Sequence, residues 1–141
     1  MRHRLLRGGV ALLAAGLVLA ACAQAQAPAA SPADPGEAEA RLLQQMRQAI
    51  GEAPCSSDAQ CRTVPAGAKA CGGPAAWWAW SQAHSDGAQL QALSRQLDRL
   101  QRKRFEASGE QSNCQVVPDP GAACVARRCV LRGGRPGAAA I

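Results

Sequence analysis

The sequence predicts an α+β fold: a small disulfide-stapled antiparallel sheet packed against one long helix, preceded by a shorter helix. Three observations carry this prediction. Cys55, Cys61, Cys71, Cys114, Cys124 and Cys129 gather in one stretch, an even number suited to three disulfides in an oxidising compartment. Leu90, Leu93, Leu97 and Leu100 recur at helical spacing between them, which makes one apolar stripe. Short β-type runs bounded by glycine and proline flank that helix on both sides.

The chain opens differently. Residues 1–7 carry Arg2, Arg4 and Arg7 and no acid, and residues 10–21 form an apolar run of 12 residues. That run is too short to cross about 30 Å of hydrocarbon comfortably as a helix. It ends in Leu19-Ala20-Ala21-Cys22. A positive region, an apolar region and small residues before a cysteine together resemble a bacterial lipoprotein signal peptide with its lipobox. The resemblance implies that residues 1–21 are the signal. It also implies that Cys22 begins the mature chain, carrying a thioether diacylglycerol and an amide-linked acyl chain such as palmitate. With Ala23 and not an aspartate after Cys22, resemblance to Gram-negative sorting rules points to the outer membrane, facing the periplasm.

Two other readings stay open. Ala23-Gln24-Ala25 and Ala25-Gln26-Ala27 are sites an ordinary signal peptidase cuts, which would give a free periplasmic or secreted protein. An uncleaved anchor is the third option, since no charge lies between Gly8 and Ala33, although Gln24, Gln26 and Pro28 extend the span poorly. The cysteine count is neutral between lipidation and ordinary cleavage, because cutting after Ala25 also leaves six.

Residues 22–33 read as a lipidated tether: an Ala/Gln/Pro/Ser stretch without the large apolar surface needed to fold alone. Residues 34–54 then form the first helix. Asp34 can cap it, Pro35 suits its first position, and Glu37 follows three residues after the cap. Leu42, Leu43, Met46, Ala49 and Ile50 share one face, and Gly51 ends it.

Residues 55–132 form the disulfide-rich domain, and residues 133–141 a flexible tail. A core of this size contributes only a few kcal/mol, so bridges worth about 2–4 kcal/mol each decide whether it folds. The sequence does not choose their pairing, but Cys124 and Cys129 are the pair most easily joined, as a staple across a local hairpin. Residues 61–65 read as a short strand entering a Pro65-Ala66-Gly67 turn, and residues 75–81 as a second strand. Ser85 or Asp86 caps the long helix, and Gly109 stops it. Residues 114–117 and 124–131 read as strands separated by Pro118-Asp119-Pro120-Gly121.

The segment Cys71-Gly72-Gly73-Pro74 and the tryptophans after it are the most unusual feature. In a strand, Trp78 and Trp80 face one side and Trp77 the other; in a helix, Trp77 and Trp80 share a face. Either way the three do not fit into one core. Trp77, Trp78 and Trp80 are therefore candidates for an aromatic platform that meets an envelope protein, a peptide or a glycan ring. The competing reading places two of them in the core and the third in a gap between elements.

Cys61, Lys69-Ala70-Cys71-Gly72-Gly73-Pro74, the tryptophans, the leucine-striped helix, Ser112-x-Cys114 and the closing Cys124…Cys129-Val130 resemble a small domain of uncharacterised bacterial envelope lipoproteins. No activity attaches to that domain, so the resemblance implies no catalytic residue.

Charge narrows the function further. Of 16 Lys and Arg, three leave with residues 1–21 and none of the 10 acids does, so the mature net charge is 13 − 10 = +3. A nucleic-acid partner loses its electrostatic basis. Arg95, Arg99, Arg102, Lys103 and Arg104 make a basic end on the long helix. Asp98 sits four before Arg102, as in a solvated ion-paired face, and an anionic surface is the functional alternative. Arg127-Arg128 reads as a polar hairpin turn.

Catalytic signatures are sparse. The mature chain has one histidine, His84, in a polar loop, and no Cys-x-x-Cys or Gly-rich phosphate loop. No enzyme activity, cofactor or metal is expected. The expectation is a lipid-anchored cell-envelope protein acting as a non-catalytic binding or structural module. The alternative is an inhibitor of an exported hydrolase, of protease or lysozyme type, presenting residues 67–74 or 118–123.

Overall fold

A computed structural model describes residues 34–133. The readings made for the signal, Cys22 and the tether, and for the tail beyond Gly133, lie outside the described residues. Asp34 starts α1 (Pro35–Ile50) by accepting the Gly36 N–H at 3.1 Å, and Pro35 stands where a missing N–H costs nothing. Gly51, at φ +56°, closes the helix onto the Arg47 carbonyl at 2.9 Å. A 3-10 turn (Asp58–Gln60) leads into β1 (Cys61–Ala68), which pairs antiparallel with β2 (Pro74–Ser81). The long helix α2 (Gly87–Ser108) is capped by Asp86, whose carboxylate accepts from Ala88 and Gln89. Gly109 ends it in the left-handed conformation. A second hairpin, β3 (Ala122–Val125) with β4 (Arg128–Leu131), completes an α+β domain with three disulfides.

The first hairpin divides the interior. Val64, Ala66, Trp78 and Trp80 lie on one face and pack with Met46 from α1 and with Leu90 and Leu97 from α2. The alternation of strand side chains puts Cys61 and Ala79 on the other face. They join Ala53, Cys55, Ala122 and Cys129 in a second cluster beneath β3 and β4. The two helices run antiparallel. Glu39 near the start of α1 meets Arg104 near the end of α2, and the Ser85 hydroxyl before α2 donates to the Ile50 carbonyl at the end of α1.

Four sequence expectations need correction. The strand from Cys61 does not turn at Pro65-Ala66-Gly67 but runs on to Ala68, and the reversal falls at residues 69–73. Pro65 keeps a carbonyl that accepts the Ser94 hydroxyl at 2.7 Å. The pair Gly72 and Gly73, at φ +98° and +76°, is better able to make the reversal.

Residues 124–131 lie in the β3–β4 hairpin and are not one strand, and residues 114–117 form no strand. The Cys71–Cys114 bridge ties them across the first hairpin's turn, and side chains take their polar groups where a neighbouring strand would.

Cys124 and Cys129 face each other in register across β3 and β4, yet they are not bonded to each other. Cys124 joins Cys55 and Cys129 joins Cys61. The physical reason lies in the backbone. Cys129 N–H donates to the Ala53 carbonyl at 2.8 Å and Cys55 N–H to the Arg127 carbonyl at 3.0 Å, so residues 53–55 line the edge of β4 and bring both partner thiols to the hairpin.

Candidate functional site

The tryptophans part company at the strand. Trp78 and Trp80 are 5% and 8% exposed, and both belong to the helical core. The guanidinium of Arg47 stands 5.2 Å over the Trp78 ring, and the Trp80 ring lies against Gly87 at the first turn of α2. Neither ring offers a surface to a partner.

Trp77 points to the opposite face and is half-buried. Its indole N–H donates to the Val117 carbonyl at 3.0 Å. Of the three tryptophans, Trp77 alone remains a candidate for the aromatic surface, and the segment 110–121 reaches it at Val117.

That segment, a strap between α2 and β3, is tied at its ends by the Arg104–Glu110 pair and by the Arg132 N–H to the Gly121 carbonyl, and at four places between them. The Cys71–Cys114 bridge is the first, with Cα atoms 5.2 Å apart. Lys69 Nζ donates to Asn113 Oδ1 at 2.7 Å and to the Gln115 carbonyl at 2.5 Å. Trp77 supplies the third hold, and the Thr63 hydroxyl supplies the fourth by donating to Asp119 Oδ2 at 2.7 Å. Between these holds Val116 is 84% exposed. Cys71 and Cys114 are both exposed, whereas Cys55, Cys61 and Cys129 are buried.

The sulfurs of Cys55, Cys61 and Cys129 lie within 4.8 Å of one another. That proximity resembles a metal cluster, but each sulfur is committed to a disulfide, and a metal ligand needs the thiolate. The cluster is two disulfides in contact.

His84 lines an open depression of about 460 Å³ with Pro54, Cys55, Ser56, Gln60 and Arg127. The Ser56 hydroxyl donates to Gln60 Oε1 at 3.2 Å. Among the described residues no hydrogen bond joins Ser56 to His84, and no carboxylate lines the depression. A nucleophile, a base and a group to orient the base are not assembled there.

The basic end of α2 is partly neutralised. Asp98 binds Arg102 through two hydrogen bonds of 2.9 and 3.0 Å, which raise its guanidinium pKa above the ordinary value. Arg104 is raised likewise, first by its hydrogen bond to Glu39, and it also pairs with Glu110. Arg95, Arg99 and Lys103 are left exposed. At the second hairpin Arg128 pairs with Glu52, while Ala126 and Arg127 take φ +50° and +63° in the turn.

Sequence reasoning missed the strap. Its anchors, Thr63 with Asp119 and Lys69 with Asn113, stand 56 and 44 residues apart, and nothing in local composition couples them. The position of Trp77 opposite Trp78 was the one available signal.

No family model matches the chain, and no curated protein or solved structure is significantly similar to it.

Proposed function

We propose that the chain is a lipid-anchored cell-envelope protein, held to the outer membrane through Cys22. Its domain serves as a non-catalytic binding or structural module. The observation that carries the extracytoplasmic part of this reading is the pairing of all six cysteines of residues 34–133 with one another. Such bridges belong to an oxidising, extracytoplasmic setting. None of them draws on Cys22, whose sequence context is that of a lipid-bearing first residue. No helix among the described residues is long and apolar enough to cross a membrane. The partner on the periplasmic side is an envelope protein or a glycan, met at Trp77 and the strap beside it.

Mass spectrometry of the mature protein, intact and reduced, tests the anchor. Acyl chains on a chain beginning at Cys22 are expected. An unacylated terminus at Gln26 or Pro28 would overturn it and leave a free periplasmic or secreted protein. For the binding surface, Trp77→Ala is the clean variant, since Trp78 and Trp80 belong to the core. Captured envelope proteins or glycans should change with Trp77→Ala while the far-UV spectrum stays the same; an unchanged profile removes Trp77 as the contact.

A second reading, an inhibitor of an exported hydrolase, is favoured by the turn at residues 69–73, whose Cys71 and Gly73 are exposed. The Cys71–Cys114 bridge clamps it into one shape, as an inhibitory loop requires. Titration against proteases and lysozymes decides this, and no inhibition at micromolar protein sinks it.

A further inference from the structure

We infer that Cys71–Cys114 is a thiol-exchange site, and that opening it releases the strap and uncovers Trp77. The three bridges are not equivalent. Cys55, Cys61 and Cys129 are buried beneath β3 and β4, and Cys124 is half-buried. An attacking thiolate must approach a disulfide sulfur directly, so access sets which bridge reacts. Only Cys71–Cys114 offers two exposed ends, beside Gly72 and Gly73, around which a Cβ would meet nothing within 4 Å.

The reaction is a two-electron exchange with a dithiol. One thiolate of the dithiol attacks a sulfur of the bridge, forming a mixed disulfide and expelling the other cysteine as a thiolate. The second thiol of the reductant, once deprotonated, displaces the first cysteine. The dithiol is oxidised to its disulfide, and its two protons end on Cys71 and Cys114.

The structural consequence is local. The strap contributes no residue to the core of Met46, Val64, Ala66, Trp78, Trp80, Leu90 and Leu97, and the two buried bridges persist. Without the bridge, the strap is held at the surface by the Lys69 and Thr63 hydrogen bonds, the Cys71 N–H to Ser112 Oγ and the Arg104–Glu110 pair, and over Trp77 by the part-buried indole N–H bond to the Val117 carbonyl. Exposed polar contacts of this kind exchange readily with water, so the strap lifts and Trp77 gains solvent. The inference concerns the domain and stands whether or not Cys22 carries lipid.

The test is stepwise reduction of the full chain with dithiothreitol, trapping thiols with N-ethylmaleimide and mapping them by mass spectrometry. Cys71 and Cys114 should be labelled at about tenfold less reductant than the other four cysteines of the domain. Far-UV circular dichroism should hold at that dose. Tryptophan emission should shift to the red in the parent chain and not in Trp77→Phe. The double variant Cys71→Ser with Cys114→Ser should show the same shift without reductant. Co-labelling of the other four cysteines at the first dose overturns the exchange site. Loss of the far-UV signal, in the reduced chain or in the double variant, overturns the local release. So does the absence of a Trp77-dependent shift.

Discussion

The ring of Trp80 lies so close to the first turn of α2 that a Cβ on Gly87 would meet its Cη2 at 2.6 Å. The ring is packed among core side chains and cannot swing aside without disturbing them. Gly87→Ala should therefore destabilise the domain by about 1–3 kcal/mol in urea unfolding, despite the better helix propensity of alanine. The opposite sign is expected at the second hairpin. Ala126 and Arg127 occupy the left-handed region, at φ +50° and +63°, where a Cβ costs about 1–2 kcal/mol. The two-residue turn of a right-twisted hairpin demands this conformation of both central residues. Arg127→Gly should then raise stability by about 0.5–1 kcal/mol, part of the relief being lost to the greater freedom of glycine in the unfolded chain. A decrease in the urea midpoint would show that the arginine side chain outweighs the backbone.

Between elements, one polar chain docks the helices on the first hairpin. Ala68, buried near the end of β1, donates its N–H to Gln101 Oε1 at 2.6 Å. Gln101 Nε2 donates in turn to Glu39 Oε2 at 3.1 Å, and Arg104 Nε donates to Glu39 Oε1 at 2.8 Å. Gln101→Ala leaves the Ala68 N–H without its acceptor, so a loss of about 1–3 kcal/mol is expected in thermal or urea unfolding. Gln101→Glu keeps an acceptor but sets a carboxylate beside Glu39, and it should recover only part of that loss.

The same elements mark what the sequence could and could not disclose. Both helices were legible because their signals are local: Asp34 and Asp86 as caps, Gly51 and Gly109 as stops, leucines at helical spacing. The reach of β1 was not, since Pro65 and Gly67 read as a turn until Ser94 and Gln101 from α2 satisfy the strand around them. Within the strap, residues 114–117 read as a strand because Gln115, Val116 and Val117 suit one locally. What denies them a partner strand is a bridge to Cys71, 43 residues away. For the candidate site, strand alternation did separate Trp77 from Trp78 and Trp80. It carried no information about which face would be closed by which element.

At the scale of the whole molecule the bridges differ in topology as well as in exposure. Cys55–Cys124 and Cys61–Cys129 span 69 and 68 residues, and each alone would restrict the unfolded chain by about 4 kcal/mol. They close almost the same loop. Once either is formed, the other closes only a small ring, six steps from Cys55 to Cys61 and five from Cys124 to Cys129. On the chain-entropy relation that second closure is worth about 3 kcal/mol. Removing one of the two by paired Cys→Ser substitution should cost about 3 kcal/mol, and the remaining bridge should keep the domain folded. Removing both should cost about 7 kcal/mol, comparable to the whole stability of a domain this size, and should abolish cooperative folding. Urea titration of the two double variants and the quadruple variant reads this directly. A quadruple variant that still unfolds cooperatively would show that the helical core around Met46, Leu90 and Leu97 sustains the fold without the knot beneath β3 and β4. Unfolding by either double variant alone would show that each bridge fixes native geometry that the other cannot replace.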